Sequence, residues 1–166
     1  SGKKLQYFDP ELNENYVPYV IETSIGCDRM FLAMIANNLV EENGPDADGA
    51  DSTREVLKLH PALAPVNVAV LPLLKNKEEL TKAATEIYDR LKLSFNCQYD
   101  EKDAIGRRYR RQDAIGTPYC VTIDFETLEN GTVTIRDRDT LEQQRINIAD
   151  IKSVVEGKVS MENLLM

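Results

Sequence analysis

Residues 63–166 predict an α/β domain, a mixed sheet of about five strands with three helices, and three observations carry that prediction. Val66-Asn-Val-Ala-Val-Leu71 is a continuous, β-prone apolar run, the pattern of a strand buried on both faces. Leu80, Ala83, Ala84, Ile87 and Leu91 recur at the spacing of one helix face. Asn130-Gly131 is a strong turn signal, so the segments on either side of it should pair antiparallel.

Before that domain, Tyr16 to Ile25 reads as one strand. A helix follows, with Met30, Phe31, Leu32, Met34, Ile35, Leu39 and Val40 on a wide apolar face. Residues 43–54 are polar and turn-rich and read as a mobile loop, Val56 to Leu59 as a short strand, and Pro61 with Pro65 as brackets of a linker. The stretch up to about Pro65 therefore looks like the end of a domain that begins elsewhere, and the expected boundary separates residues 1–62 from 63–166. Within the second part, strands are expected at Val66–Leu71, Phe95–Tyr99 and Tyr119–Phe125, with helices at Leu80–Leu91 and Ile105–Ala114 between them. That alternation implies parallel pairing with right-handed crossovers. Thr132–Arg138 should return antiparallel, Gln144–Ile148 adds a further strand, and a helix over Asp150–Glu156 closes the domain with Gly157 just past its end.

With 166 residues, 42% hydrophobic and 29% charged, the chain has room for one good core. No apolar run approaches the ~20 residues needed to cross a bilayer, and Ser-Gly-Lys-Lys at the start has no apolar signal region, so a cytoplasmic setting is expected. Cys27, Cys97 and Cys120 are scattered and odd in number, which argues against a disulfide framework or a structural zinc site; all three read as reduced packing residues. No metal-ligand cluster is expected. His60, the single histidine, stands beside Pro61 with no nucleophile near it in sequence and reads as structural. Net charge is -8, yet Lys102, Arg107, Arg108, Arg110 and Arg111 fall within ten residues that hold one acid, Asp103. An acidic body with one basic face would select a contact site without binding polyanions indiscriminately.

The chemistry-bearing stretch is Pro18-Tyr-Val-Ile-Glu22-Thr-Ser24-Ile-Gly26-Cys-Asp28-Arg29. On a strand, Glu22 and Ser24 would share a face, presenting an acceptor and a hydroxyl. Gly26 turns the chain into a helix whose first turn carries Arg29, a forked, permanent charge suited to phosphate. One face of that kind suits a small amine-bearing substrate beside a nucleotide. The plainer alternative is a solvated Glu, a capping Ser and a surface arginine paired with Asp28.

This stretch resembles motif 3 of the class II aminoacyl-tRNA synthetases, and specifically of the glycyl-tRNA synthetases. The resemblance continues through Val56-Leu-Lys-Leu-His-Pro-Ala-Leu-Ala-Pro65, Ile105-Gly-Arg-Arg-Tyr-Arg-Arg-Gln-Asp-Ala-Ile-Gly116 and Val133-Thr-Ile-Arg-Asp-Arg-Asp-Thr140, and so covers nearly the whole chain. It implies that residues 1–62 are the end of a class II antiparallel-sheet catalytic domain and that 63–166 are an anticodon-binding domain. It further implies that Glu22 and Ser24 bind glycine, and that Gly26, Arg29 and Glu22 line the ATP site. Arg29 would be the catalytic group, stabilising charge as the glycine carboxylate attacks the α-phosphorus. ATP with Mg2+ would be the substrate complex, with no permanently bound cofactor. The partners implied are glycine, ATP and tRNA(Gly), with a homodimeric parent and a fragment that can be monomeric, and neither membrane nor DNA. Thr23 stands where Pro often occurs in the family pattern, leaving both flanking functional side chains in place. Nothing corresponds to motifs 1 and 2, so this chain alone is expected to lack synthetase activity.

For anticodon contact the resemblance and the residues point to Arg107, Arg108, Arg111 and Gln112 on one helix, extended by Arg136 and Arg138 on the hairpin strand. Readers of single-stranded RNA stack bases on aromatic or guanidinium planes and hydrogen-bond their edges. On a helix, Arg107, Arg108 and Arg111 cluster by three- and four-residue spacing, whereas Tyr109 faces elsewhere and is expected in the core. A solvated basic face is the structural alternative. A sister class II synthetase (threonyl, prolyl or histidyl) shares the distal domain, but Glu22-Thr-Ser24 and Arg136-Asp-Arg-Asp-Thr140 point to glycyl. Two other function classes stand beside it: a non-catalytic RNA-binding or polymerase-accessory module, and a small-nucleotide-binding α/β domain. Intact Glu22, Ser24 and Arg29 argue against the first. The second lacks a Gly-rich loop after its first strand, where Pro72-Leu-Leu-Lys75 stands.

Overall fold

The computed structural model describes residues 2–45 and 51–165. The chain divides into two compact units, Ser1–Phe31 and Leu32–Met166.

In the first unit, β1 (Tyr7–Asp9) and β2 (Glu14–Tyr16) form a small antiparallel hairpin. Asp9 Oδ1 accepts from the Glu11 and Leu12 N–H groups at its turn, and Tyr7 meets Tyr16 edge to face at 5.9 Å. The expected strand over Tyr16–Ile25 is not formed beyond Tyr16: residues 17–26 are irregular and exposed. An extended apolar run becomes a strand only when a neighbour takes its backbone N–H and C=O groups, and no strand is hydrogen-bonded to this one among the described residues. Helix α1 (Cys27–Asn38) begins just after Gly26, whose carbonyl accepts the Met30 N–H at 3.0 Å. None of its residues is buried, so Cys27 is exposed and is no packing residue, unlike half-buried Cys97 and buried Cys120.

The second unit holds the rest of α1 and then an antiparallel hairpin, β3 (Leu39–Pro45) and β4 (Asp51–Leu57), in register from Leu39↔Leu57 to Pro45↔Asp51. The expected loop over 43–54 therefore shrinks, because its flanks continue the ladder; its centre, 46–50, lies outside the described residues. A 3-10 turn at Pro61–Leu63 follows, and His60 Nδ1 accepts the Ala62 N–H there, the structural role expected of it.

The main sheet holds β5 (Val68–Pro72), β6 (Cys97–Tyr99), β7 (Tyr119–Ile123), β8 (Thr132–Asp137) and β9 (Gln143–Asn147), in the order β6-β5-β7-β8-β9. β5 is parallel to β6 and β7, and β7, β8 and β9 pair antiparallel, as the mixed five-stranded reading requires. Between them run α2 (Glu78–Leu91), α3 (Ile105–Ile115) and α4 (Phe125–Asn130), followed by α5 (Ile151–Val159) and α6 (Glu162–Leu165). Alternate side chains of β5 and β7 sort onto two faces. Val68, Val70, Tyr119, Val121 and Ile123 pack against Leu80, Ala84, Ile87 and Leu91 of α2 and Ile151 and Val155 of α5. Ala69, Leu71 and Cys120 meet Ile105 and Tyr109 of α3 on the other face.

Two local expectations change. Asn130-Gly131 is no two-residue hairpin loop: Asn130 ends α4, and Gly131 at φ 66° caps it. Asp124 starts that helix with a capping box, accepting from Thr127 N at 3.0 Å while Thr127 Oγ1 accepts from Asp124 N at 3.1 Å. Gly157 lies inside α5, which runs on to Val159. At the end of α3, Gly116 is required twice over, by φ 85° and by a Leu57 carbonyl only 2.9 Å from where a Cβ would stand. That close approach seats the β3–β4 hairpin on α3. Arg138 completes the seat, donating to the carbonyls of Leu57 (3.0 Å), Leu59 (2.8 Å) and Gly116 (2.8 Å).

Candidate nucleic-acid interface

In a sheet of this topology, the connections β5–α2 and β6–α3 leave adjacent parallel strands toward opposite faces. That opens a crevice beyond the carboxyl ends of the strands, where α/β folds usually bind ligands. Here Arg108 fills it. The residue is 2% exposed, and its guanidinium donates to the Pro72 and Leu73 carbonyls on one side and the Asp103 carbonyl on the other. Burial works against its charge and lowers its pKa. Arg108 thus ties two loops together, which corrects its expected place on an accessible face.

Arg136 and Arg138 are corrected in the same way. Arg136 is 7% exposed and grips Asp113 with two parallel bonds of 2.8 and 2.9 Å, its guanidinium carbon 4.7 Å from the Tyr109 ring centre. Tyr109 is a core residue as expected, its hydroxyl 2.6 Å from Thr122 Oγ1 and its pKa raised by burial. Arg138, 2% exposed, is spent on the three carbonyls above and on Asp139. Gln112 is buried too: Thr117 Oγ1 donates to its Oε1 at 2.7 Å, and its Nε2 donates to Gln98 Oε1 at 3.1 Å.

Arg107 and Arg111 remain at the surface. Arg107 is exposed at the start of α3, near exposed Lys102, and Lys75 and Lys77 are exposed on the β5–α2 loop. Arg111, with a side chain 41% exposed, lies between Asp100 and Asp103: Nε and Nη2 reach Asp100 Oδ2 at 3.1 and 2.8 Å, and Nη1 reaches Asp103 Oδ2 at 2.9 Å. The Asp100 bonds raise its pKa, and Arg111 in turn holds the Asp103 carboxyl below the usual range. The sequence cluster of five cations is therefore not one basic face. It divides into a buried tie (Arg108), a carboxylate-neutralised plane (Arg111), half-buried Arg110, and the exposed charges of Lys102 and Arg107.

In the first unit, Glu22, Ser24, Gly26 and Arg29 are all exposed. Glu22 and Ser24 lie in irregular chain rather than on one strand face. At Gly26 a Cβ would meet only the Arg29 side chain, at 3.8 Å, so no close approach there demands glycine.

The fold and this edge can be set beside known proteins. The model of the anticodon binding domain family matches residues 67–158. The chain belongs to that family. Similar proteins include glycine–tRNA ligases of Clostridium perfringens (52% identical over 94% of this chain), Clostridium tetani (54% over 96%) and Rhodopirellula baltica (51% over 96%). The chain spans 33%, 33% and 30% of those relatives, respectively. Among solved structures, the RNA-binding domain of threonyl-tRNA synthetase from Cryptosporidium parvum aligns at a TM-score of 0.55 over 61% of this chain and 25% of that one, at 21% identity. Prolyl-tRNA synthetase from the same organism, complexed with halofuginone and AMPPNP, gives 0.56 over 62% and 23%, at 24% identity. At that identity both speak for the fold alone.

In this anticodon-binding domain, the polar residues that the motif reading missed are Asp113, which anchors Arg136 and Arg54, and Gln98, the outward end of the Gln112 chain. Gln98 carried a signal: it is the polar member of Cys97-Gln98-Tyr99, whose flanking residues pack in the core. Asp113 carried none in sequence beyond its place one residue after Gln112. Among the described residues there is no cluster fit to hold a metal ion, and no helix is long and apolar enough to cross a membrane.

Proposed function

We propose that this chain contributes anticodon recognition to a glycine–tRNA ligase, through the edge formed by the loops after β5 and β6 and the first turns of α3. The observation that supports this most directly is the division of cations there. Arg107, Lys102, Lys75 and Lys77 are exposed for phosphate, while Arg111 has its charge balanced by two carboxylates and offers a planar face. Single-stranded RNA is read by that combination of backbone charge and stacking plane.

The parent enzyme would activate glycine with ATP and transfer it to tRNA(Gly). Glu22 and Ser24 would hold the glycine ammonium, and Arg29 would meet ATP phosphate, with Mg2+ neutralising the phosphates further; all three side chains are accessible for these roles. Because residues 17–26 are irregular here, that site needs a neighbouring strand to order it, and the chain alone does not aminoacylate. Family membership and the relatives' names support this reading over an accessory-module one.

Glycine codons begin with two guanosines, so the anticodons carry two cytosines. The test is binding of the 166-residue chain to a glycine anticodon stem-loop, beside one with both cytosines replaced, at two salt concentrations. Preference for the natural loop, with both loops bound more weakly and to the same extent in Arg107→Ala, supports the reading. Equal binding to both loops that collapses at higher salt would sink it, since that outcome is phosphate attraction alone.

A further inference from the structure

β6 is an edge strand, and alternation along it turns Cys97 and Tyr99 into the α2-side core while Gln98 and Asp100 face α3. Consecutive residues of α3 engage them: Gln112 bonds Gln98, and Arg111 bonds Asp100. Gln98 and Asp100, two apart on the strand, stand about 7 Å apart, so the Gln98 amide and the guanidinium bonded to Asp100 are anchored at neighbouring positions of one face.

Both groups are held in one orientation. Buried Thr117 donates to Gln112 Oε1, and the Gln112 amide nitrogen donates to the Gln98 oxygen. The Gln98 NH2 group, on an exposed residue, then faces solvent as a donor. Every edge of the Arg111 guanidinium meets an acceptor (Asp100, Asp103 and the Lys102 carbonyl), which leaves its flat faces for stacking and removes its value as a phosphate clamp.

We propose that Gln98 and Arg111 form a base-reading subsite, in which an unpaired nucleobase stacks on the Arg111 guanidinium and presents a hydrogen-bond acceptor to the Gln98 NH2 group. Gln112 and Thr117 are positioning residues that set which end of the Gln98 amide faces the RNA. The inference rests on the anticodon reading above and assigns it a specificity-determining residue. Of the pyrimidines, cytosine suits the subsite when the Gln98 NH2 group meets ring position 3, an acceptor in cytosine and an N–H donor in uracil; the O2 acceptor is common to both.

The test compares stem-loops with cytosine or uridine at each of the two anticodon positions, binding to the wild-type 166-residue chain and to Gln98→Ala, Gln98→Glu, Arg111→Lys and Arg107→Ala. Gln98→Glu keeps an acceptor for Gln112 Nε2 and should melt with the wild type, whereas Gln98→Ala removes it and is assayed at a temperature where its melting curve shows it folded. Gln98→Ala should lose about fivefold of the cytosine preference at one position, the order expected for one net hydrogen bond, with no change in salt slope. Gln98→Glu, which offers only acceptors, should abolish or invert that preference. Arg111→Lys should weaken both loops alike by several-fold, because charge is kept and the plane is lost. Arg107→Ala should flatten the salt slope by about 0.7 and leave the cytosine preference intact. If the wild type prefers cytosine and Gln98→Ala keeps the full preference, the subsite is wrong and the anticodon reading stands. If the wild type shows no preference between the natural and replaced loops, the anticodon reading fails and the subsite with it.

Discussion

Replacing Asp113 with alanine tests whether the buried charges hold this domain together. Asp113 is fully buried on α3 and accepts three bonds, from Arg136 Nη1 (2.8 Å), Arg136 Nη2 (2.9 Å) and Arg54 Nη1 (2.9 Å). Removing one partner of a buried ion pair costs about 3–5 kcal/mol, chiefly because the other charge is stranded. Two features set the expected cost near the lower end. Arg136 keeps the Tyr109 face, worth on the order of 1 kcal/mol, and Arg54 keeps Glu42 and the Arg138 carbonyl. A loss of roughly 3 kcal/mol would lower Tm by about 6–12 °C in a chain of this size. Urea denaturation gives the free energy, with Asp100→Ala as the control; its pair with Arg111 is partly exposed and should cost under about 1 kcal/mol. The double variant Asp113→Ala/Arg136→Met should be more stable than Asp113→Ala alone, because the stranded guanidinium is gone. A cost below about 1 kcal/mol for Asp113→Ala, or additive costs in the double variant, would refute the reasoning.

Gly116→Ala should destabilise by more than about 1 kcal/mol, from the left-handed backbone alone, and should loosen the β3–β4 hairpin, read as faster amide exchange at Val56 and Leu57. The Glu42 carboxyl is held below its ordinary value of 4.5, first by its bond to Lys58 and then by Arg54. A depressed carboxyl stabilises above its unfolded pKa, so the advantage of wild type over Glu42→Gln should be full above pH 4.5 and disappear as pH falls through the folded value. Burial pushes the Cys97 and Cys120 thiols up to about 11 and about 12, so alkylation of the folded protein at pH 8 should stop at exposed Cys27 and reach all three only in denaturant. Four exposed cations line the proposed RNA edge, Lys75, Lys77, Lys102 and Arg107, so log K against log salt should fall no more steeply than about -3 for single-stranded RNA.

The sheet was legible because a strand buried on both faces must be apolar throughout, and β5 is, from Val68 to Pro72. Its helices were legible because Leu80, Ala84, Ile87 and Leu91 repeat at helical spacing and are buried together. α4 was hidden by Asn130-Gly131, a turn signal that also suits a helix ending in left-handed glycine; the Asp124-x-x-Thr127 cap was the competing sign. The strand over Tyr16–Ile25 failed for a different reason. Composition sets the propensity to extend, but pairing needs a neighbour that no local window reveals.

The candidate site was least legible where arginine was concerned. Helical spacing placed Arg108 and Arg111 on one face, yet Arg108 turns inward because the Pro72, Leu73 and Asp103 carbonyls need donors, a demand that only the assembled loops create. Arg138 answers the same demand at Leu57, Leu59 and Gly116. A guanidinium with five donors suits such places better than any other side chain.

That division of labour explains how an acidic chain can carry so many arginines in the half proposed to face RNA. Guanidinium groups that satisfy carbonyls and carboxylates contribute rigidity and add little to the field outside. With net charge -8, long-range attraction to a polyanion is weak, so affinity must come from contacts made at close range. Such contacts reward an exact fit only if the groups making them are already fixed. The Thr117–Gln112–Gln98 chain and the Asp100–Arg111–Asp103 clamp fix theirs before any RNA arrives. On the proposed reading, a surface built this way would trade tight nonspecific binding for discrimination between bases, which is what selecting one anticodon among many requires.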